Sequence, residues 1–139
     1  VGRALVTMGW SLWRQVVKST ESLATRMIVG DASGIRLTLK PDVGYRNLRV
    51  IANAGSKYGG PCGGVTSMYN VWRSGGCGGT DRRADPRFRN ERGFDFHLAP
   101  GSPAINRGHP KEFPRVDIDG QRRPVGKRSD AGADEYRRP

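Results

Sequence analysis

The stretch at residues 84–108, ADPRFRNERGFDFHLAPGSPAINRG, most constrains how this chain can fold. Its segment at residues 100–103 holds two prolines, which fix φ, and a glycine, which permits positive φ, so the chain must reverse sharply there. Apolar and polar residues alternate over residues 94–98 just before this reversal, which predicts a short strand with one apolar face. The stretch therefore predicts short strands that end in tight turns.

The same logic extends to the rest of the chain, because 20 glycines and 9 prolines favour many short elements over a few long helices. We expect a Gly-rich loop at residues 55–64. Asn70 is compatible with the inward-facing asparagines that stack in solenoids, and equally with an ordinary turn. Further strands are predicted at residues 27–29, 35–39, 48–52, 65–72 and 116–120.

The net positive charge of the chain indicates which classes of molecule it could bind. The chain carries 24 Lys and Arg against 13 Asp and Glu, a formal net charge of +11, spread without a run of like charges. Such a surface attracts nucleic acid, acidic lipid or anionic polysaccharide. No helix-turn-helix, zinc-finger or ribonucleoprotein motif accompanies the charge, so we expect no specific nucleic-acid partner. Nothing approaches the roughly 18 consecutive apolar residues of a membrane-spanning helix, so no transmembrane segment is expected.

The ordered motifs of the second half form a recognisable series. They are Asp85-Pro86-x-Phe88, Asp95-Phe96-His97-Leu98, Pro100-Gly101-Ser102-Pro103-Ala104-Ile105, Asp117-Ile118-Asp119-Gly120 with Arg123-Pro124, and Asp130-Ala131-Gly132-Ala133-Asp134-Glu135-Tyr136. This series resembles the C-terminal end of bacterial right-handed parallel β-helix proteins, pectate-lyase-like and of the choice-of-anchor type. The resemblance covers about residues 65–136.

The resemblance implies an all-β fold made of the last coils and the C-terminal cap of a right-handed parallel β-helix. Residues 27–80 would be degenerate coils with Gly-rich loops, residues 81–139 the capping region, and residues 1–26 remain unassigned. It also implies an extracellular or cell-surface setting and upstream β-helix coils in a longer parent chain. The structural core of the cap is predicted at Phe88, Phe96, Leu98, Ile105 and Tyr136.

The resemblance implies no activity. Because an open solenoid end exposes strand edges and apolar interior, we expect a non-catalytic end of the β-helix that caps the solenoid and binds anionic polysaccharide through Arg and Lys. No catalytic residue is assigned. The alternative is a fragment of a polysaccharide lyase or glycoside hydrolase whose catalytic coils lie upstream. The candidate carbohydrate-binding residues are the basic side chains near coil-like strands, namely Arg36, Lys40, Arg46, Arg49 and Lys57.

Two cysteines, Cys62 and Cys77, each sit between pairs of glycines. In an exported protein we expect them to close a loop as a disulfide, the alternative being two free thiols. A zinc site is not expected, because neither His97 nor His109 stands at a metal-ligand spacing.

The acidic residues of the last coils offer a candidate calcium site, since calcium takes six to eight oxygen ligands. Its candidate ligands are Asp117, Asp119, Asp130 and Asp134. The alternative, which we favour, is that these carboxylates cap turns and pair with arginines. His97 could act as a general base, but a histidine without a placed partner is more often structural.

Overall fold

The computed structural model describes residues 48–139 in full and, before them, the backbone of four short strands. The strand predicted at residues 27–29 lies outside the described residues, as do Lys40 and Arg46. The strands, in chain order, are β1 (Arg3–Ala4), β2 (Val17–Lys18), β3 (Thr25–Arg26), β4 (Arg36–Leu39), β5 (Leu48–Ile51), β6 (Ala54–Gly59), β7 (Val65–Met68), β8 (Val71–Ser74), β9 (Arg82–Arg83), β10 (Phe88–Asn90) and β11 (Asp95–Leu98).

The described part is all-β, as the sequence predicts, with a single 3-10 turn at Glu91–Gly93. Three small, open sheets have the strand orders β1-β2-β5-β7, β3-β4-β6-β8-β9 and β10-β11. Across the described residues, no helix has the length and apolar character needed to span a membrane.

The two larger sheets share one register. Strand β5 pairs in parallel with β7, with Leu48 opposite Val65, and β6 pairs in parallel with β8, with Ala54 opposite Val71. Asn53 and Asn70, which precede β6 and β8, are also 17 positions apart. The β7–β8 unit therefore lies directly on the β5–β6 unit 17 residues earlier.

The turns inside the two units use the same backbone device. Ala52 and Tyr69 have φ values of 55° and 58°, so a left-handed residue ends β5 and β7 and swings the chain into the next sheet. This turn divides the single strand predicted at residues 65–72 into β7 and β8. Strand β6 also occupies the first half of the loop predicted at residues 55–64, a prediction that was wrong because glycines fit here inside a buried strand.

The core joins the sheets to the C-terminal segment. Its central cluster consists of Ala54, Val71, Leu98, Ala104 and Ala131. The backbone N–H of Gly132 donates to Ala52 O at 2.7 Å, and a Cβ at Gly132 would lie 3.0 Å from the Ala54 methyl group. The last residues of the chain therefore pack directly against the turn between β5 and β6.

The predicted cap residues lie around this cluster. Leu98 is 1% exposed, while Phe88, Ile105 and Tyr136 pack against the cluster as partly buried side chains. Phe96 is half-buried and meets Phe88 edge to face, with ring centroids 5.5 Å apart. Two predictions for this region were wrong. Phe94, predicted on the apolar face of a strand, lies in the turn before β11 with its ring largely exposed. Residues 116–120, predicted as a strand, contribute only one bridge, between Val116 and Arg122.

A disulfide joins Cys62 and Cys77, which confirms that prediction. It closes a loop with a sequence separation of 15 around β7 and β8. Because a cross-link lowers the entropy of the unfolded chain, we expect the double variant Cys62→Ser/Cys77→Ser to lose about 3 kcal/mol of unfolding free energy. Urea unfolding with and without reductant measures this loss. Reductant should destabilise the wild-type protein and leave the double variant unchanged, and equal sensitivity in both would contradict the prediction.

Candidate functional site

A stack of three polar side chains runs through the turns that precede β6, β8 and β9. The Asn70 Oδ1 atom accepts from both the backbone N–H and the Nδ2 of Asn53, each at 2.8 Å. Its Nδ2 donates to Val50 O at 2.8 Å, to Ser67 Oγ at 3.1 Å and to Asp81 Oδ1 at 2.8 Å. Asn70 is fully buried, so this side chain is held entirely by the turns above and below it.

Asp81 ends the stack, and its carboxylate points inward. Its Oδ1 accepts from the N–H and the side chain of Asn70, and its Oδ2 accepts from Ser67 Oγ and from the Gly78 N–H at 3.0 Å. A Cβ at residue 78 would lie 1.7 Å from Ser67 O, so only glycine fits there. The Asp81 carboxylate therefore serves as a hydrogen-bond acceptor for residues of the protein itself.

A cleft of about 470 Å³ opens beside this end of the stack. Arg82 and Arg83 reach it from β9, the last strand of its sheet, while Arg107 and Arg128 come from the chain that follows β11. Its lining residues are Tyr69, Asn70, Val71, Gly79, Thr80, Asp81, Arg82, Arg83, Arg107 and Arg128. The volume lies in the range of pockets that bind small molecules.

An arginine and an aromatic ring are held together at one wall of the cleft. The Arg128 guanidinium carbon lies 4.8 Å from the centre of the Tyr69 ring, and the His109 ring meets Tyr69 edge to face at 5.1 Å. One terminal nitrogen of Arg128 donates to Gly108 O, and its backbone N–H donates to Asn106 Oδ1 at 3.1 Å. Within residues 48–139, the buried Nε of Arg128 has no hydrogen-bond partner.

The cleft is strongly cationic. Arg82, Arg83 and Arg107 are exposed, and none of them forms a salt bridge with another residue of the range 48–139. Asp81, the acidic residue in the lining, accepts the hydrogen bonds from Asn70 and Gly78 just described and forms no salt bridge with these arginines. Four guanidinium groups beside an aromatic ring form a surface that suits carboxylate, sulfate or phosphate groups, which arginine binds through paired N–H donors.

The predicted carbohydrate-binding residues lie elsewhere. Arg36 on β4 is in register with Lys57 on β6, and Lys57 is exposed. Arg49 lies on β5 in the other sheet, where its guanidinium pairs with Glu112 at 2.6 Å, and this hydrogen bond raises its pKa. The structure therefore brings Arg36 and Lys57 onto neighbouring strands and separates them from Arg49.

The predicted calcium ligands divide into two groups. Asp117 Oδ1 accepts from the N–H groups of Asp119 and Gln121, and its Oδ2 accepts from the N–H of Glu135. Asp130 accepts from the N–H groups of Asn106 and Tyr136 at 2.6 and 2.7 Å. Burial outweighs these two bonds and raises the pKa of Asp130 to about 6. Asp117 and Asp130 thus act as turn-forming acceptors.

Asp119 and Asp134 instead lie with His97. The His97 Nε2 atom is 3.2 Å from Asp119 Oδ2, and the buried Asp134 accepts from the Leu98 N–H at 2.7 Å. Burial raises the pKa of Asp134. Burial lowers the pKa of His97, but its hydrogen bonds to Asp95 and Asp119 outweigh burial, so that its pKa is raised overall.

The sequence reasoning missed the arginines of the cleft. One signal was available: Arg82-Arg83 directly follows Asp81, an acidic residue that occupies the place of Asn53 and Asn70 before a strand. Arg107 and Arg128 had no such signal, because the fold alone brings them to β9.

No protein-family model, no curated protein and no solved structure matches this chain.

Proposed function

We propose that this chain is the non-catalytic C-terminal end of an extracellular parallel β-helix protein and that it binds an anionic polysaccharide. The observation that carries the binding proposal is the cleft lined by Arg82, Arg83, Arg107 and Arg128. The proposed extracellular location rests on the resemblance of the C-terminal motifs to the ends of β-helix proteins. Secretion is in keeping with the Cys62–Cys77 disulfide, since such bonds persist in oxidising environments.

The β-helix part of the proposal is supported by the shared register of the sheets. The β5–β6 and β7–β8 units pair in parallel at a spacing of 17 residues, and Asn53 and Asn70 stack between them. A solenoid consists of such units, each resting only on its neighbours. The end of a solenoid leaves apolar interior uncovered, and the segment around Ala131 and Gly132 packs against the interior side of the β5–β6 turn.

The ligand is proposed to be a polysaccharide with carboxylate or sulfate groups. Its anionic groups would pair with Arg82, Arg83 and Arg107, whose charges no acidic residue of the range 48–139 neutralises. The apolar face of a sugar ring would stack on an aromatic wall, and Tyr69 with Arg128 provides that wall. Charge alone suits any polyanion, so the ring contact is the feature that favours a sugar.

The test compares two double variants that remove the same charge. Arg83→Gln/Arg107→Gln removes two guanidinium groups from the cleft, whereas Arg115→Gln/Arg138→Gln removes two exposed ones outside it. Binding to polygalacturonate, alginate and a glycosaminoglycan is measured by calorimetry at several salt concentrations, with neutral dextran as the blank. We expect the cleft variant to bind at least about tenfold more weakly and the control variant to stay within about twofold.

Several results would contradict the proposal. Equal losses in both variants would mean that net charge, and not the cleft, attracts the polymer. Equal binding of single-stranded DNA at the same salt concentration would remove the preference for a sugar. Release of unsaturated uronate ends, read by ultraviolet absorbance, would favour the lyase alternative.

A further inference from the structure

Three side chains from separate parts of the capping region converge at one point. His97 comes from β11, Asp119 from the turn after Asp117, and Asp134 from the C-terminal segment. One donor atom of each lies within 4.8 Å of the donor atoms of the other two. A metal ion at the centre of such a group would be at coordination distance after small side-chain movements.

The buried member of this group forms no salt bridge with a Lys or Arg of residues 48–139. Asp134 is 6% exposed, and its one hydrogen bond within residues 48–139 is the Leu98 N–H on Oδ2. Its sequence neighbour Glu135 is equally buried but pairs with Arg123 at 2.8 Å. A buried carboxylate is costly without a counter-charge, and no Lys or Arg of the described residues supplies one to Asp134.

The imidazole of His97 is oriented for a ligand. Its Nδ1 lies 2.5 Å from Asp95 Oδ1, and the same oxygen accepts from the His97 backbone N–H at 3.1 Å. A hydrogen bond from the Nε2–H joins His97 to Asp119 at 3.2 Å, and a metal ion bound by both groups would replace that proton. Metal-binding histidines commonly donate their other N–H to a carboxylate, which fixes both the ring and its tautomer.

We propose that His97, Asp119 and Asp134 bind a divalent transition-metal ion, with Zn²⁺ the best match, and that Asp95 positions His97. One imidazole nitrogen and two carboxylate oxygens suit zinc, whereas calcium and magnesium prefer oxygen ligands alone. Three protein ligands leave a fourth position for water or a partner's donor group. The ion would tie β11, the Asp119 turn and the C-terminal segment together, independently of the arginine cleft.

The test is a metal titration of the full chain after treatment with a chelator and dialysis. Zn²⁺, Mn²⁺, Ca²⁺ and Mg²⁺ are added separately, and binding is followed by calorimetry and by the melting temperature. We expect one Zn²⁺ ion per chain and a melting temperature that rises with its concentration, because a ligand that binds the folded state stabilises it. Co²⁺ should give the visible absorption of a bound ion in place of Zn²⁺.

The variants locate the site. His97→Gln and the exposed Asp119→Asn should each abolish the response to Zn²⁺, and Asp95→Asn should weaken binding about 10- to 100-fold. His109→Gln, at the other histidine of the chain, is the matched control and should bind as wild type does. The proposal is overturned if no ion binds, if Zn²⁺ still binds to Asp119→Asn, if His109→Gln loses the response, or if Ca²⁺ binds and Zn²⁺ does not.

Discussion

Replacing Arg123 by methionine should cost about 3–5 kcal/mol of unfolding free energy, the largest loss expected from a single substitution in the described region. The Arg123 Nε donates to Glu135 at 2.8 Å, and both side chains are 1% exposed. Its terminal nitrogens donate to Gly132 O at 3.1 Å and to Asp130 O at 2.6 Å. Methionine fills similar space but leaves the Glu135 charge and two carbonyl groups without their donor.

Urea unfolding at neutral pH measures this loss, and Arg122→Met is the control. Arg122 is the exposed neighbour of Arg123, so its substitution should change stability by less than about 0.5 kcal/mol. An unchanged urea midpoint would show that the ion pair does not hold the cap in place.

Asn70→Ala is expected to destabilise the protein by about 4 kcal/mol. Truncation leaves the Asn53 N–H and one N–H of the Asn53 side-chain amide buried without an acceptor, and each such group costs about 1–3 kcal/mol. Asp81 also loses one of its donors. The effect should be much larger than for an exposed side chain of the same unit, because the Asn70 side chain is fully buried.

Thr66→Ala provides that comparison, since Thr66 is exposed on β7 and should tolerate the change within about 0.5 kcal/mol. Amide hydrogen exchange adds a local readout. In Asn70→Ala the N–H groups of Asn53 and Val71 should exchange faster relative to those of the C-terminal segment. Equal exchange in the two variants, or a loss no larger than that of Thr66→Ala, would refute a structural role for the stack.

The sequence predicted best where pattern and backbone chemistry agree. The alternation at Leu48, Arg49 and Val50 became β5, and the turn at residues 100–103 follows directly after β11. It failed where a long-range contact decides the conformation. Gly55 and Gly59 read as a loop, yet parallel pairing with β4 and β8 on both sides makes that segment a strand.

The candidate site was harder to predict than the strands. The β5–β6 and β7–β8 units, which align Asn53 with Asn70 at a spacing of 17 residues, have few identical residues. The backbone conformation is repeated, but the sequence is not, so the repeat could not be recognised from the sequence. The cleft depends on long-range contacts, since Arg107 and Arg128 lie beside β9 only once the chain after β11 has folded back. Local sequence patterns do not indicate that these residues lie close together in the fold.

The charges on β9 have a consequence for self-association. Strand β9 is two residues long, ends its sheet, and presents two exposed arginines at the point where another strand could add. An open edge strand is a template for pairing with another chain, and short, positively charged edge strands oppose this. If two copies of the chain met at this edge, Arg82 and Arg83 of one copy would face the same residues of the other. At an ionic strength of about 0.15 M this repulsion acts over about 8 Å, so it opposes the pairing of two β9 edges only at close approach.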